Sequence, residues 1–386
     1  MYKRKINVDL QNINLLDAGM SVYARAMLSR LVSYEDLELR GTVFRVGLFH
    51  PGYNLEEYKY FGFPIKFTRL PEWVVGGRPV GLEYRIAQRI LKSFVPNYNS
   101  WVGDNKSDVF LFFMNYAPAL PIKGKVITCV HDIIPLRVHT SDFSPEFVDF
   151  YRKAFKNVIE KSTKIITDSK FSKRDIIDYA HIDESQIDVI HCGVNTEEFQ
   201  QPFDCGVIRA KYNLPEKYIL YFGASVPRKN VESVIKAYAR LPETTRQEYA
   251  LVITNPKGAT KDCAVENNVT PHFIENVSRE DKPAVYQMAS VLVWLSIYEG
   301  FGLPIIEAQA AGTPVVCSNV TSLPEVAGDA AVLVSPMDTE ATTTAIERCL
   351  YDAPFRQDLI AKGYKNVKRF SWDEAAKRLH DIILSL

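Results

Sequence analysis

Between Val291 and Val316 the chain is constrained to pass from a strand, through a glycine loop, into a helix. Val291 to Leu295 is a short continuous apolar run that reads as a buried strand, Pro304 suits the first turn of a helix, and Gly312 suits its left-handed stop. Gly300 and Gly302 let the backbone approach a ligand closely, and the free N–H groups at the start of the helix favour an anion there. Side chains on a helix lean towards its N-terminus, so Glu307 points back at whatever the loop holds while Glu299 stands at the mouth.

A carboxylate has no use for a phosphate, but it accepts strongly from the paired hydroxyls of a sugar or a ribose. The ligand implied has a phosphate in its middle and hydroxylated rings at both ends, which describes a nucleotide sugar. The plainer reading is a tight turn with Glu307 complementing the helix dipole. A dinucleotide fingerprint is not complete, because Ile305 stands where its third glycine belongs.

The two glutamates are separated by seven residues around Gly-Phe-Gly-Leu-Pro. Thr313-Pro314-Val315-Val316, Leu323-Pro324-Glu325-Val326 and Gly328-Asp329-Ala330-Ala331 follow in order. The whole series resembles the donor-site signature of the retaining glycosyltransferases of family 4. The resemblance implies an α/β chain with the GT-B fold: two doubly wound Rossmann-like domains facing a central cleft, with a C-terminal helix crossing back to the first domain. It implies a metal-independent hexosyltransferase that moves a sugar, with retention, from a nucleotide diphosphate sugar to a hydroxyl acceptor. The acceptor would be a glycan, a lipid-linked molecule or a small molecule, in polysaccharide or glycoconjugate biosynthesis. His131-Asp132-Ile133-Ile134-Pro135 and Pro227-Arg228-Lys229-Asn230 are more like mannosyl- or rhamnosyl-adding members, which favours GDP-mannose as donor.

Carried over residue by residue, the resemblance gives Glu299 and the N–H groups of Gly300, Phe301 and Gly302 the donor sugar. Leu303 N–H takes a phosphate oxygen and Glu307 the ribose hydroxyls. Arg228 and Lys229 match the diphosphate-binding pair, Gly19 lies in a loop facing the donor phosphates, and Val277 or Ser278 is near the seat of the base. His131 belongs near the reacting sugar, holding a hydroxyl and tolerating developing charge. Ala18 departs from the family, which commonly has a glycine there, and Cys192 and Asn195 depart from its Asn-Gly-Val-Asp turn, which leaves that turn a structural job only.

Composition narrows the field. At 386 residues with 47% hydrophobic, the chain can build two or three cores. Lys plus Arg and Asp plus Glu number 46 each, which argues against a nucleic-acid partner bound through phosphate neutralisation. The six cysteines are scattered without a Cys-x-x-Cys pair, so they read as reduced thiols of a cytosolic protein rather than as zinc ligands or disulfides. No apolar run of about 18 residues occurs, so no membrane span is expected. The expected place is the cytoplasm or the inner face of the membrane.

Taken in order, Lys5 to Ile13, Val43 to Phe49, Asp108 to Met114, Lys125 to Val130, Lys164 to Thr167 and Ile187 to His191 read as the strands of a first half, residues 1–200. Residues 51–79 read as a long loop or an excursion. The basic amphipathic stretch 81–95, flanked by Trp73 and Trp101, packs on a sheet by the preferred reading or lies on an anionic bilayer by the other. Ser172 and Asp175 have capping-box spacing at the start of a helix. Pro202, Gly206 and Pro215 mark a linker between Gln200 and Lys217. A second half, 213–370, has strands at Tyr218 to Phe222, Ala250 to Thr254, His272 to Ile274, Val291 to Leu295, Pro314 to Cys317 and Ala331 to Val334. The last helix, in 371–386, presents Ala375, Ala376, Leu379, Ile382, Ile383 and Leu386 on one face.

The chemistry fits a departing diphosphate, whose growing negative charge needs cations that tighten in the transition state. Arg228 offers a planar fork and Lys229 a point charge. No two aspartates are spaced Asp-x-Asp, the usual grip on a divalent metal in other glycosyltransferases, so the two cations and the helix starts take over the metal's work. A nucleotide-sugar epimerase, a phosphorylase or a catalytically silent sugar-nucleotide-binding scaffold would share the fold. The intact set of His131, Arg228, Lys229, Glu299 and Glu307 speaks against the scaffold.

Overall fold

A computed structural model describes residues 2–10, 13, 19–46, 61–70, 97–118, 120–138 and 141–386. The stretch 81–95, Trp73 and the Asp17-Ala18 part of the first glycine loop lie outside these residues. The chain forms two units: the first comprises Met1–Arg137, Phe143–His191 and Trp372–Leu386, the second Val138–Asp142 and Cys192–Ser371.

The first unit is built on seven strands: β1 Arg4–Asp9, β2 Leu37–Val46, β3 Ile65–Leu70, β4 Val109–Phe112, β5 Lys125–Cys129, β6 Lys164–Thr167 and β7 Ile187–Val189. They pair in the order β3-β2-β1-β4-β5-β6-β7, all parallel, with Ile6 opposite Val109 and Ile127 opposite Lys164. All four residues of β4 are buried, as a strand covered on both faces requires. Beneath the β5–β7 side, Val130, Ile133, Phe155, Val158, Ile165 and Ile176 form one apolar cluster.

Three expectations are corrected here. The segment 51–79 is not all loop, because Ile65-Lys66-Phe67-Thr68 alternates as a strand does and β3 closes one edge of the sheet. The helix Lys170–Ala180 begins before Ser172: Ser169 is its cap and its hydroxyl accepts from Ser172 N at 3.0 Å. The expected linker between Gln200 and Lys217 holds the helices Thr196–Gln200 and Cys205–Tyr212, both within the second unit, and the chain passes between units at His191. Pro202 and Pro215 lie in the turns before and after the helix Cys205–Tyr212 and Gly206 in its first turn, so they do not mark a tether.

The helix Trp372–Ser385 belongs to the first unit and packs on Gly19–Leu31. Trp372 meets Tyr23 edge-on at 5.7 Å, and His380 Nε2 lies 2.9 Å from Asp36 Oδ1 with its ring stacked on Tyr34 at 4.0 Å. Among the described residues no helix is long and apolar enough to cross a membrane.

The second unit has six parallel strands: β8 Tyr218–Tyr221, β9 Ala250–Thr254, β10 His272–Ile274, β11 Val291–Trp294, β12 Val315–Ser318 and β13 Val332–Val334. Their order is β10-β9-β8-β11-β12-β13, with Leu292 opposite Val315. The order reverses between β8 and β11, and in open α/β sheets ligands gather outside the carboxyl ends of strands at such a point. The first unit reverses likewise between β1 and β4.

Candidate functional site

Two loops leave the reversal point of the second unit, one from β8 and one from β11, and they are tied together: Ile297 N donates to Arg228 O at 2.8 Å. The β8 loop starts at Gly223, whose N–H donates to Thr254 Oγ1 at 2.7 Å. A Cβ there would stand 2.8 Å from the Trp294 ring and 3.4 Å from Lys229 Nζ, so only glycine lets the chain pass. Pro227–Lys229 is a single 3-10 turn that ends in Asn230 at φ 52°. Asn230 tolerates the left-handed region, and its amide donates to Leu295 O at 3.0 Å and Pro336 O at 2.9 Å. The turn carrying the two cations is therefore pinned at its far end.

Those cations differ in what they touch. Arg228 Nη1 donates to Glu299 Oε2 at 3.0 Å and to Tyr298 O at 3.2 Å, while Arg228 N donates to Asp142 Oδ2 at 3.4 Å. Lys229 holds its ammonium 5.0 Å from the centre of the Trp294 ring, and that ammonium has no ion pair or hydrogen bond among the described residues. Enclosure pulls its pKa below the ordinary lysine value, Glu299 opposes the fall, and Arg228 adds to it. An anion arriving here would relieve both the desolvation and the repulsion.

Glu299 is fixed from several sides. Ser296 Oγ donates to its Oε1 at 2.9 Å, its N–H donates to Thr321 Oγ1 at 3.3 Å, and Ser322 Oγ lies 2.9 Å from Glu299 O and 2.8 Å from Phe301 O. Thr321 sits at φ 58°, a strained conformation for a β-branched residue, and the strain is held beside the Glu299 loop. Gly302 sits at φ 112°, and a Cβ there would come 2.7 Å from Leu323 Cδ2, so this glycine is required by the turn itself. Phe301 is buried against Phe370, and the helix Leu303–Ala310 follows with Pro304 in its first turn. The strand, loop and helix of the sequence reading are in place, and Gly312 ends the helix region at φ 76°.

Glu307, on that helix, is 9% exposed and doubly held. Lys282 Nζ donates to Oε1 at 2.6 Å and Tyr286 OH to Oε2 at 3.0 Å. Burial, with Glu307 adding to it, keeps the Tyr286 phenol protonated and so a donor. Val277 is half-buried after β10, and Ser278 N donates to Tyr212 OH at 3.0 Å.

His131 and Gly19 are in the first unit, Arg228, Lys229, Glu299 and Glu307 in the second. Gly19 is the exposed first residue of its helix. His131, 5% exposed, has Nδ1 at 2.8 Å from Asp168 Oδ2 and Nε2 at 2.9 Å from Phe113 O. Both neighbours can only accept, so the ring meets them best as a cation with two N–H groups. Burial works against that charge, and the Asp168 carboxylate overcomes it to raise the pKa above 6.5. A pKa raised on folding adds stability that is complete below 6.5 and is lost as pH rises through the folded value. The melting temperature of the parent should therefore exceed that of Asp168→Asn by more at about pH 5.5 than at about pH 8.5. A gap that stays constant or widens with pH would contradict the charged ring.

Reading the sequence missed Lys282, Tyr286, Ser296, Thr321, Ser322 and Asp142. One signal was available: Lys282 and Tyr286 are four apart on a helix and so share a face. Ser322 makes no side-chain capping bond to the helix it precedes and serves the Glu299 loop instead.

The model described as Glycosyl transferases group 1 matches residues 207–366, and Glycosyltransferase Family 4 matches 19–198. The chain is 35% identical over 263 residues to O-antigen chain mannosyltransferase B of Escherichia coli, covering 64% of this chain and 67% of that protein. It is 29% identical over 273 residues to the serotype-specific mannosyltransferase WbdA of Escherichia coli, covering 67% of this chain but only 33% of WbdA, so it spans about a third of that relative. Among solved structures, Anabaena Alr3699/HepE in complex with UDP and glucose superposes with a TM-score of 0.72 at 15% identity, over 99% of this chain and 100% of that one.

Proposed function

We propose that this chain, which belongs to glycosyltransferase family 4 and has the GT-B fold, transfers mannose with retention from GDP-mannose to a glycan or lipid-linked hydroxyl in the making of a polysaccharide. The observation that carries the reading is the pair Arg228 and Lys229 facing the Glu299 loop at the β8–β11 reversal. The names of the mannosyltransferase relatives support the sugar, and the O-antigen chain named for one of them supports the product class.

In the reaction the bond from the anomeric carbon to the diphosphate breaks and the bond to the acceptor oxygen forms. Lys229 and Arg228 take the charge that gathers on the leaving diphosphate, in a site where enclosure makes such charges count. The loop from Glu299 to Gly302 orients the sugar, and Glu307 holds the ribose. The acceptor enters on the leaving-group face and gives its proton to a diphosphate oxygen, so no separate base opposite the leaving group is needed. His131, with both ring nitrogens taken by Asp168 and Phe113 O, is not the nucleophile. The reaction is placed in the cytoplasm, at the inner face of the membrane when the acceptor is lipid-linked.

Nucleotide release from a panel of UDP-, GDP- and dTDP-sugars, with and without a mannose-terminated acceptor, tests this reading. Release of GDP that depends on acceptor is expected; isomerised sugar without acceptor would mean an epimerase, and no release with any pair would mean a scaffold. The same assay in EDTA should keep its rate, since two protein cations stand where a metal would otherwise act. Loss of turnover restored by Mg or Mn would contradict metal independence.

A further inference from the structure

The carboxylate of Glu307 meets two donors that the proposed reaction does not use. Lys282 and Tyr286 lie one turn apart on the helix Lys282–Gln287, and each takes one oxygen: Nζ at Oε1, 2.6 Å, and the phenol at Oε2, 3.0 Å. Tyr286 is fully buried, packed on Phe222 at 4.8 Å and Phe199 at 6.0 Å, and the Lys282 ammonium lies 5.8 Å from the Phe199 ring. Such packing leaves Glu307 one orientation.

We infer that Lys282 and Tyr286 are positioning residues that set Glu307 to accept a ribose and to reject a 2′-deoxyribose, which restricts the donor to ribonucleotide sugars. The inference rests on reading the second unit as the donor domain. An ionised carboxylate offers about four acceptor positions. Lys282 and Tyr286 use one on each oxygen, so the remaining positions match the two adjacent hydroxyls of a ribose. A 2′-deoxyribose supplies one hydroxyl and leaves a buried acceptor unmatched, and sites built around a hydroxyl discriminate strongly against the analogue that lacks it. Lys282 has a second effect. It makes three cations, with Arg228 and Lys229, against the carboxylates of Glu299 and Glu307, so a diphosphate is not repelled by the group that holds its ribose.

The test is calorimetric titration of the full chain with GDP, 2′-deoxy-GDP, UDP and 2′-deoxy-UDP. The parent should bind the ribonucleotide of its preferred base about ten- to a hundredfold more tightly than the deoxy form. In Lys282→Met and Tyr286→Phe that ratio should fall to about threefold or less, and Lys282→Arg should restore it. A bridge that only tied two helices would lower the melting temperature of the variants and leave the ratio alone. Equal binding of both sugars by the parent, or an unchanged ratio in both variants, overturns the inference and leaves the donor-domain reading standing. Failure of the parent to bind any of the four nucleotides overturns that reading and the inference with it.

Discussion

Lys229→Met should lower turnover by roughly a hundred- to a thousandfold, and Arg228→Ala by roughly ten- to a hundredfold, as nucleotide release under saturating donor will show. The order follows from what each cation touches before any anion arrives. Arg228 is already shared between Glu299 and Tyr298 O, so part of its charge is spent within the protein. The Lys229 ammonium lies over the Trp294 ring with no ion pair among the described residues, it is destabilised by enclosure, and its interaction with a departing diphosphate is gained nearly in full. Methionine keeps the length and the contact with the ring, so the loss reports the charge. Near-normal rates in both variants would remove the diphosphate from this turn.

Glu307→Ala should weaken nucleotide binding by roughly ten- to a hundredfold and lower the melting temperature by roughly 5–10 °C. The second effect arises because the mutation leaves Lys282 and Tyr286 without their shared acceptor in a site where both are largely enclosed. Removing one member of a buried pair is far costlier than removing both. Glu307→Gln separates the two effects, since the amide oxygen still accepts from Tyr286 while the amide nitrogen opposes Lys282. Its expected fall in affinity is nearer that of alanine, with a smaller loss of melting temperature. An affinity equal to the parent's in both variants would take the ribose away from Glu307.

Much of this was legible in the chain because the signals were local. β6, β9 and β10 fall where the apolar runs end, and the passage from β11 through Gly302 to the helix at Leu303 follows from a strand, a left-handed glycine and a proline in order. The grouping of Arg228 with Glu299 needed the family pattern, since 71 positions separate them. What stayed hidden depends on side chains that meet only after the sheet has formed. Lys282 reads as one more surface lysine until the helix that carries it is set beside Glu307. Thr321 is ordinary in sequence and strained in place. The strand β3 was obscured by the aromatic, glycine and proline residues around it, and it needed only one neighbour, β2, to form. The linker was misplaced because Pro202 and Pro215 stand in the short turns on either side of the helix Cys205–Tyr212, and turn prolines look the same in sequence as those of a tether.

The central claim, that a sugar leaves its diphosphate on Arg228 and Lys229 and joins the acceptor on the same face, is tested most directly by the configuration of the first product. Proton NMR of fresh product made from GDP-α-mannose and a mannose-terminated acceptor should show an α-linked sugar from the earliest spectrum. A β-linked sugar as the first product would contradict the mechanism and the roles given to both cations.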